Sequence, residues 1–457
     1  MKLTIKEIVN ITNGVLLQGN ENQIIEMMNS DSRFDLSPNG LFIPVFGERL
    51  NGHNFIPSAI ENGAVATLCS EDVEMQNDIA YIKVDDCITA MQKIGAYVRS
   101  QSNIPVVAIT GSVGKTTTKE MIACAIGNQL NTFKTAGNSN SQVGVPKMLA
   151  LLDKSYDIAV IEAGMSMPNE MGKLAPIIQP NITVITNIGV SHIENLGSRQ
   201  GIFNEKIKLA FAMKDGSPLI LNGDNDILNS YTSNKYKIIR YGLNEYNDVR
   251  AINIQSSFNT TDFVAIVFNN KINVHLNAIG EHMVLNALAA LTVGHLLNLN
   301  IERCAQALST YTPIPGRQMI EVFNNVTYIE DYYNASPDSM KASINVLSSI
   351  KCLGQRIAVL GDMKELGKDE EKYHREIGEY LANKNINIVI SIGELGKFIA
   401  QTANNVNNSI KSIICKNNKE AFEKLLPFLK KDNVVLLKAS NSMNFKDIMK
   451  DIKKYIA

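Results

Sequence analysis

No two cysteines stand close together in this chain. Cys69, Cys87, Cys124, Cys304, Cys352 and Cys415 are scattered singly along 457 residues, with no C-x-x-C pair. That spacing argues against a zinc site and a disulfide framework, and fits a reducing cytosol. Charge of one sign is not in excess either: 44 Lys and Arg face 45 Asp and Glu, a net charge of −1. Such balance gives no electrostatic reason for nucleic acid or an anionic membrane as the main partner. No window approaches the roughly 18 uninterrupted apolar residues of a membrane span. The opening MKLTIKEIVNITNG carries a charge every few residues and has no apolar signal-peptide core. A cytoplasmic protein that acts as a monomer is expected.

With 45% apolar and 19% charged residues the composition is that of an ordinary globular chain. At about 150 residues per domain, the length suggests about three domains. Two polar, proline-bearing stretches punctuate it: RSQSNIP (99–105) and YTPIPGRQ (311–318). They divide the chain into 1–103, 104–313 and 314–457. In the middle segment, the apolar runs VVAIT, DIAVIEAG, ITVITNIG and SPLILNGD alternate with helix-like stretches. Continuous apolar strands of this kind belong to a parallel sheet buried on both faces. After 318 the pattern restarts with VTYIEDYY, RIAVLGDM, NIVISIGE and NVVLLKAS, a second doubly wound unit of Rossmann type. The first hundred residues read as a small mixed α/β domain, NNVNNS (404–409) as a surface loop, and no internal repeat is visible. The expected fold class is therefore α/β in three domains.

The stretch VVAITGSVGKTTTKE (106–120) has the context of a phosphate site: a strand ending at Thr110, a glycine-rich turn and a helix opening at Lys115-Thr116. The general pattern G-x-x-x-x-G-K-[ST] asks for glycine at 109, where Ile109 stands. Gly111 and Gly114 let backbone N–H groups face an anion, and the helix N-terminus adds partial positive charge. The turn Gly111, Ser112, Val113, Gly114, Lys115, Thr116 and Thr117 is thus expected to hold ATP, Lys115 on its β/γ-phosphates and the Thr116 hydroxyl on Mg²⁺. A glycine turn with a solvated lysine is the plainer alternative, but strand, loop and helix agree with one another.

The form T-G-S-V-G-K-T resembles the phosphate loop of the Mur ligase family, the ATP-dependent amide ligases of peptidoglycan synthesis, in which the first glycine is dispensed with. The likeness extends over nearly the whole chain: IEAGMSMPNEM (161–171), TNIGVSHIENLGS (186–198), NEKIKL (204–209), GEHMVLNALAA (280–290), PIPGR (313–317) and DYYNASPDSM (331–340). It implies Glu162 and His192 as metal ligands with Thr116, Lys206 as a carbamylated lysine bridging metal ions, Asn286 on the adenine side, and Arg317 as an inter-domain arginine reaching the γ-phosphate. Asp331 would bind the ribose or anchor that arginine. Within the family, the signature at 331–340, GDMKELG (361–367) with His374, and the N-terminal SDSR (30–33) and FGERLNGHNFIPSAIENGA (46–64) are similar to the dipeptide-adding branch. That branch implies UDP-N-acetylmuramoyl-tripeptide and D-alanyl-D-alanine as substrates, with Ser32, Arg33, Asn138, Asn140, Asn334 and Ser336 contacting them, and ATP and Mg²⁺ as cofactors. The sequence departs from the pattern at Lys208, Met283, Ser336 and LKASNSM (437–443), where Ala439 and Asn441 replace the glycine and arginine of K-G-S-R.

By residue type alone Lys206 reads as a solvated charge; the alternatives for the others are a hydrogen-bonded strand-end histidine at His192, a surface arginine at Arg33, and structural salt bridges at Arg317 and Asp331. Other function classes are a P-loop switch or motor, a nucleotide-binding scaffold, and a folylpolyglutamate-type ligase. A GTPase would need N-K-x-D, but the Asn-Lys pairs continue as N-K-Y-K (234–237) and N-K-N-I (383–386). The linker, with Pro313, Pro315 and Gly316, is expected to act as a hinge that holds the C-terminal domain apart, and Arg317 far from the phosphate loop, until ligands bind.

Overall fold

The computed structural model describes residues 1–47 and 50–456. Among them, three main sheets each carry apolar side chains on both faces. The N-terminal sheet runs Val15–Gln18, Ala80–Lys83, Ala64–Cys69, Gly40–Phe42, Met27–Asn29, parallel except at its first edge. Helices Ile5–Thr12 and Cys87–Ser100 cover one side of it. Glu48 and Arg49, within the stretch 46–64, lie outside the described residues.

The central sheet is centred on Val106–Thr110, which pairs in parallel with Ile158–Glu162 on one side and Ile182–Ile185 on the other. All three strands are wholly buried, as their unbroken apolar runs require. Helices Lys115–Ile126 and Glu281–Leu296 pack on one face, and Glu170–Ile178 on the other. Beyond Lys237–Gly242 the sheet continues through Val249–Ser256, Thr261–Val267 and Asn270–Leu276, the last three paired antiparallel. That extension was not among the expected strands. Its outermost strand alternates buried and exposed residues, because one face meets solvent.

The C-terminal sheet has the order Met319–Phe323, Val326–Glu330, Val434–Lys438, Arg356–Gly361, Ile388–Ile392, Lys411–Cys415. It is parallel apart from the edge hairpin that opens it. The segment joining it to the central sheet is fastened at both ends. Asn277 Nδ2 donates to the Tyr311 carbonyl (2.8 Å), and the Gln318 side chain bonds the Ile279 carbonyl and the His282 ring. The Tyr333 N–H donates to the Gly316 carbonyl at 2.9 Å. The expectation of a parted C-terminal domain is therefore corrected: Arg317 lines the same cavity as Lys115. Gly316 does take the left-handed conformation foreseen for it, φ +73°.

Ile109 is wholly buried in the central core. Restoring the general phosphate-loop glycine there, as Ile109→Gly, should destabilise the central domain by about 3–5 kcal/mol through the cavity and the loss of a β-branched strand residue. Urea unfolding should show the corresponding drop in midpoint.

Candidate active site

Parallel strands deliver their carboxyl ends side by side, and here the register sets Glu162 opposite Ile109 and Ile185 opposite Thr110. The chain after Thr110 turns through Gly111 (φ +152°) and Gly114 (φ +84°) into the helix from Lys115. A Cβ on Gly111 would lie 2.0 Å from Thr186 Oγ1, so only glycine fits. Ser112 braces the loop, its N–H donating to the Asn187 carbonyl (2.8 Å) and its Oγ accepting from the Gly189 N–H (3.0 Å). Lys115 curls back to donate to the Gly111 carbonyl at 2.9 Å. Burial pushes its ammonium pKa down, the Glu162 carboxylate opposes that, and the Arg317 charge adds to it.

Glu162 is buried at the foot of a cavity of about 470 Å³ between the central and C-terminal sheets. Its Oε1 accepts from Thr116 Oγ1 (3.1 Å) and Asn140 Nδ2 (2.6 Å), while its Oε2 is buried with no hydrogen-bond partner. Lys119, fully buried one helical turn beyond Lys115, stands 3.9 Å from that oxygen and donates to the Thr135 carbonyl at 2.6 Å. Among the described residues no group of three or more His, Cys, Asp and Glu is arranged for a metal ion. One carboxylate oxygen left unspent beside a threonine hydroxyl fits Mg²⁺, a hard ion that keeps waters and takes ligands from phosphates.

Lys206 is completely buried and its Nζ has no partner. Burial drives its pKa well below the ordinary lysine value, and the nearby Lys115 cation lowers it further. A solvated lysine is thereby excluded. His192 lines the same cavity in a left-handed backbone conformation (φ 65°). Its Nδ1 lies 2.6 Å from Glu365 Oε2, at ion-pair distance but without hydrogen-bond alignment.

The C-terminal domain closes the cavity with Arg317, Asp331, Asn334 and Ser336. The Arg317 guanidinium lies 3.7 Å from the centre of the Tyr333 ring. Asp331 does not anchor it, because its Oδ2 takes Lys438 Nζ (2.6 Å) and the Ser343 hydroxyl. Ser336 caps the helix Pro337–Ser349. Asn286 sits over the loop with Oδ1 accepting from Thr118 Oγ1 (2.9 Å). Asn140 lines the cavity, whereas Asn138 is exposed and not part of its wall. Ser32 and Arg33 belong to the N-terminal domain, away from this cavity, and exposed Arg33 is held bidentate by Asp31 (2.8 and 2.7 Å). Sequence reading missed Lys119, Tyr333 and Lys438. The Lys115–Lys119 spacing of one helical turn was a usable signal for the first; Lys438 depends on Asp331, 107 positions away, and Tyr333 on its stacking with Arg317 across the linker.

Comparison with known proteins agrees with this geometry. The profile of the Mur ligase middle domain matches residues 109–294, that of the Mur ligase glutamate ligase domain 317–441, and that of the Mur ligase family catalytic domain 24–109. UDP-N-acetylmuramoyl-tripeptide--D-alanyl-D-alanine ligase of Bacillus subtilis (strain 168) is 34% identical over 455 residues, 99% of this chain and 98% of the relative. The chain belongs to the Mur ligase family. A crystal structure of MurF from Acinetobacter baumannii superimposes with TM-score 0.90 at 28% identity, covering 99% of both chains. MurF ligase from Thermotoga maritima, solved in complex with ADP, gives 0.83 at 26% identity over 94% of this chain and 98% of that one. Like the family, this chain is an ATP-dependent ligase.

The departures from Mur ligase patterns have local explanations. Lys208 pairs with Glu205 at 2.7 Å and reaches Asn169 Oδ1 at 3.2 Å. Met283 is core, packed among the apolar residues under the phosphate-loop helix. Ala439 is buried, against the bare backbone of Gly361. The Asn441 amide donates to the Tyr333 carbonyl at 3.0 Å.

An unpartnered buried amine destabilises a fold, so Lys206→Met should leave the melting temperature unchanged or raise it while abolishing ligation. The depressed pKa fixes the sign of its pH dependence. A folded pKa below the unfolded one means that, over the interval between them, the unfolded chain holds a proton the folded chain has released. The stability of the native chain relative to Lys206→Met should rise with pH until about 10.4, the unfolded lysine value, which melts across that range will test.

Proposed function

We propose that this chain joins D-alanyl-D-alanine to UDP-N-acetylmuramoyl-tripeptide, with ATP activating the tripeptide carboxylate as an acyl phosphate, in the cytoplasm and as a monomer. The observation that carries the reading is the pair of cations, Lys115 and Arg317, that line a cavity holding one unspent carboxylate oxygen on Glu162, with the buried amine of Lys206 close enough to feel the Lys115 charge. A carboxylate attacking a triphosphate brings two anions together, and fixed cations remove that repulsion. Whole-chain likeness to ligases named for this reaction selects the substrates.

In this reading the loop N–H groups of 111–117 and Lys115 hold the β- and γ-phosphates. Arg317 donates from the opposite wall, and Asn286 and Asp331 flank the adenosine. Thr116 and Glu162 would hold Mg²⁺, with His192 and carbamylated Lys206 at a second position; the ion supplies charge neutralisation between the phosphates. A neutral amine is the form of lysine that adds CO₂: the nitrogen would bond to the carbon, a proton would leave to solvent, and the carbamate would put an anion beside Lys115 in place of a stranded amine. The tripeptide carboxylate oxygen bonds to the γ-phosphorus as the bond to ADP breaks. The dipeptide amine then bonds to the acyl carbon, inorganic phosphate leaves, and the amine gives up a proton. Ser32 and Arg33 on the N-terminal domain, with Asn138 and Asn140, would hold the nucleotide-linked peptide. Asn334 and Ser336 would receive the dipeptide.

The test is ADP formation. It should require the UDP-muramyl-tripeptide and D-alanyl-D-alanine together; turnover of ATP without them would point to a switch or motor, and turnover with folates and glutamate to another ligase. Lys115→Ala should lower kcat by about 10²–10³-fold, the scale for deleting one preorganised charge-stabilising group, with the melting temperature retained. Turnover within a few fold of the parent would remove the ATP-site assignment.

A further inference from the structure

We infer that Asn441 is a positioning residue for phosphoryl transfer: its amide fixes the backbone of Tyr333, whose ring holds Arg317 over the phosphate loop. The inference rests on the reading of function given above, and its geometry is independent of the substrates' identity.

Arg317 and Lys115 repel one another across the cavity, so something other than charge must keep Arg317 there. Among the described residues no carboxylate pairs with it and no acceptor takes its side-chain N–H groups. Asp331 would be the natural partner two residues from Tyr333, but its Oδ2 is turned to Lys438 and Ser343, and it forms no ion pair with Arg317. What holds the guanidinium is the face of Tyr333, 3.7 Å away. A ring attracts a cation without neutralising it and leaves the N–H edge free for a phosphate. A carboxylate would have consumed both.

The ring is in turn located by two main-chain bonds. The Tyr333 N–H donates to the Gly316 carbonyl (2.9 Å) and the Tyr333 carbonyl accepts from Asn441 Nδ2 (3.0 Å). The first ties the ring to the linker that carries Arg317; the second ties it to the end of the central C-terminal strand Val434–Lys438. The turn bearing Asn441 is itself rigid. The Ser440 N–H donates to the Asp362 carbonyl (3.1 Å), and Ser440 Oγ accepts from the Lys364 N–H (3.0 Å). At the position where the K-G-S-R pattern carries an arginine, this chain therefore has a short neutral donor, suited to bracing a backbone carbonyl.

The experiment is a double-mutant cycle on kcat for ADP formation at saturating substrates. Asn441→Ala should lower kcat by about 3- to 10-fold, the span that one neutral hydrogen bond supports, with little change in the KM for ATP. In an Arg317→Ala background it should add no further loss. An undiminished loss in that background, or an Asn441→Ala enzyme equal to the parent, overturns the proposal. A second measurement needs no substrate. The chain has no tryptophan, so Tyr333→Trp supplies a single indole under Arg317, excited selectively on the red edge where tyrosine does not absorb. Adding Asn441→Ala should increase its quenching by acrylamide, and an unchanged quenching constant overturns the proposal. Should the parent enzyme form no ADP from the two substrates, the functional reading fails while the quenching still decides the role of Asn441.

Discussion

The active site is organised by mutual repulsion among its own cations. Burial lowers the pKa of both Lys115 and Lys206; the Arg317 charge lowers Lys115 further and the Lys115 charge lowers Lys206, while the Glu162 carboxylate opposes the shift at Lys115. An arrangement that lacks anions in the free chain is unfavourable, and it persists because rigid surroundings over-determine it. Anionic reactants relieve the repulsion, and the relief is greatest where negative charge is densest, at the attacking carboxylate and the phosphate it strikes. On the proposed function, the same feature would serve both ATP recognition and rate.

Holding such groups together requires a scaffold that does not yield. The three parallel strands Val106–Thr110, Ile158–Glu162 and Ile182–Ile185 end at nearly one level, so the phosphate loop, Glu162 and Thr186 arrive as neighbours without long side chains having to reach. Their buried, β-branched composition makes the register unforgiving: a slip of one residue would turn Glu162 into the core. The second domain contributes through fixed pieces as well. The linker is tied to Ile279, His282 and Tyr333, so Arg317 is presented by backbone geometry as much as by its own rotamer.

The parts legible in the sequence were those governed by local pattern. Buried strands announce themselves as apolar runs, and the phosphate loop as glycines between a strand and a helix; Ile109 was legible as a family variant of that loop. The parts not legible were pairings across long sequence distances. Asp331 has an aspartate's two usual options, an arginine or a ribose, and nothing near it in sequence reveals that Lys438, 107 positions on, takes the carboxylate. Arg33 is a local case by contrast: Asp31, two residues before it, takes its guanidinium. The antiparallel strands between 249 and 276 were missed because half-exposed alternation is a weaker signal than a continuous run.

Comparison among the buried lysines gives the strongest physical argument about Lys206. Lys119, Lys206 and Lys438 are all essentially inaccessible. Lys119 spends its ammonium on the Thr135 and Gly137 carbonyls and lies within ion-pair distance of Glu120 and Glu162. Lys438 bonds the Asp331 carboxylate and the Asn334 carbonyl. Both are satisfied structural cations of the kind a core tolerates. Lys206 has the same burial and none of the compensation. A fold able to satisfy two buried lysines has no structural need to strand a third, and a methionine would fill its space without the penalty. On the function proposed above, carbamylation would turn this stranded group into a charge complementary to Lys115, which gives the burial of an unpartnered amine a chemical purpose.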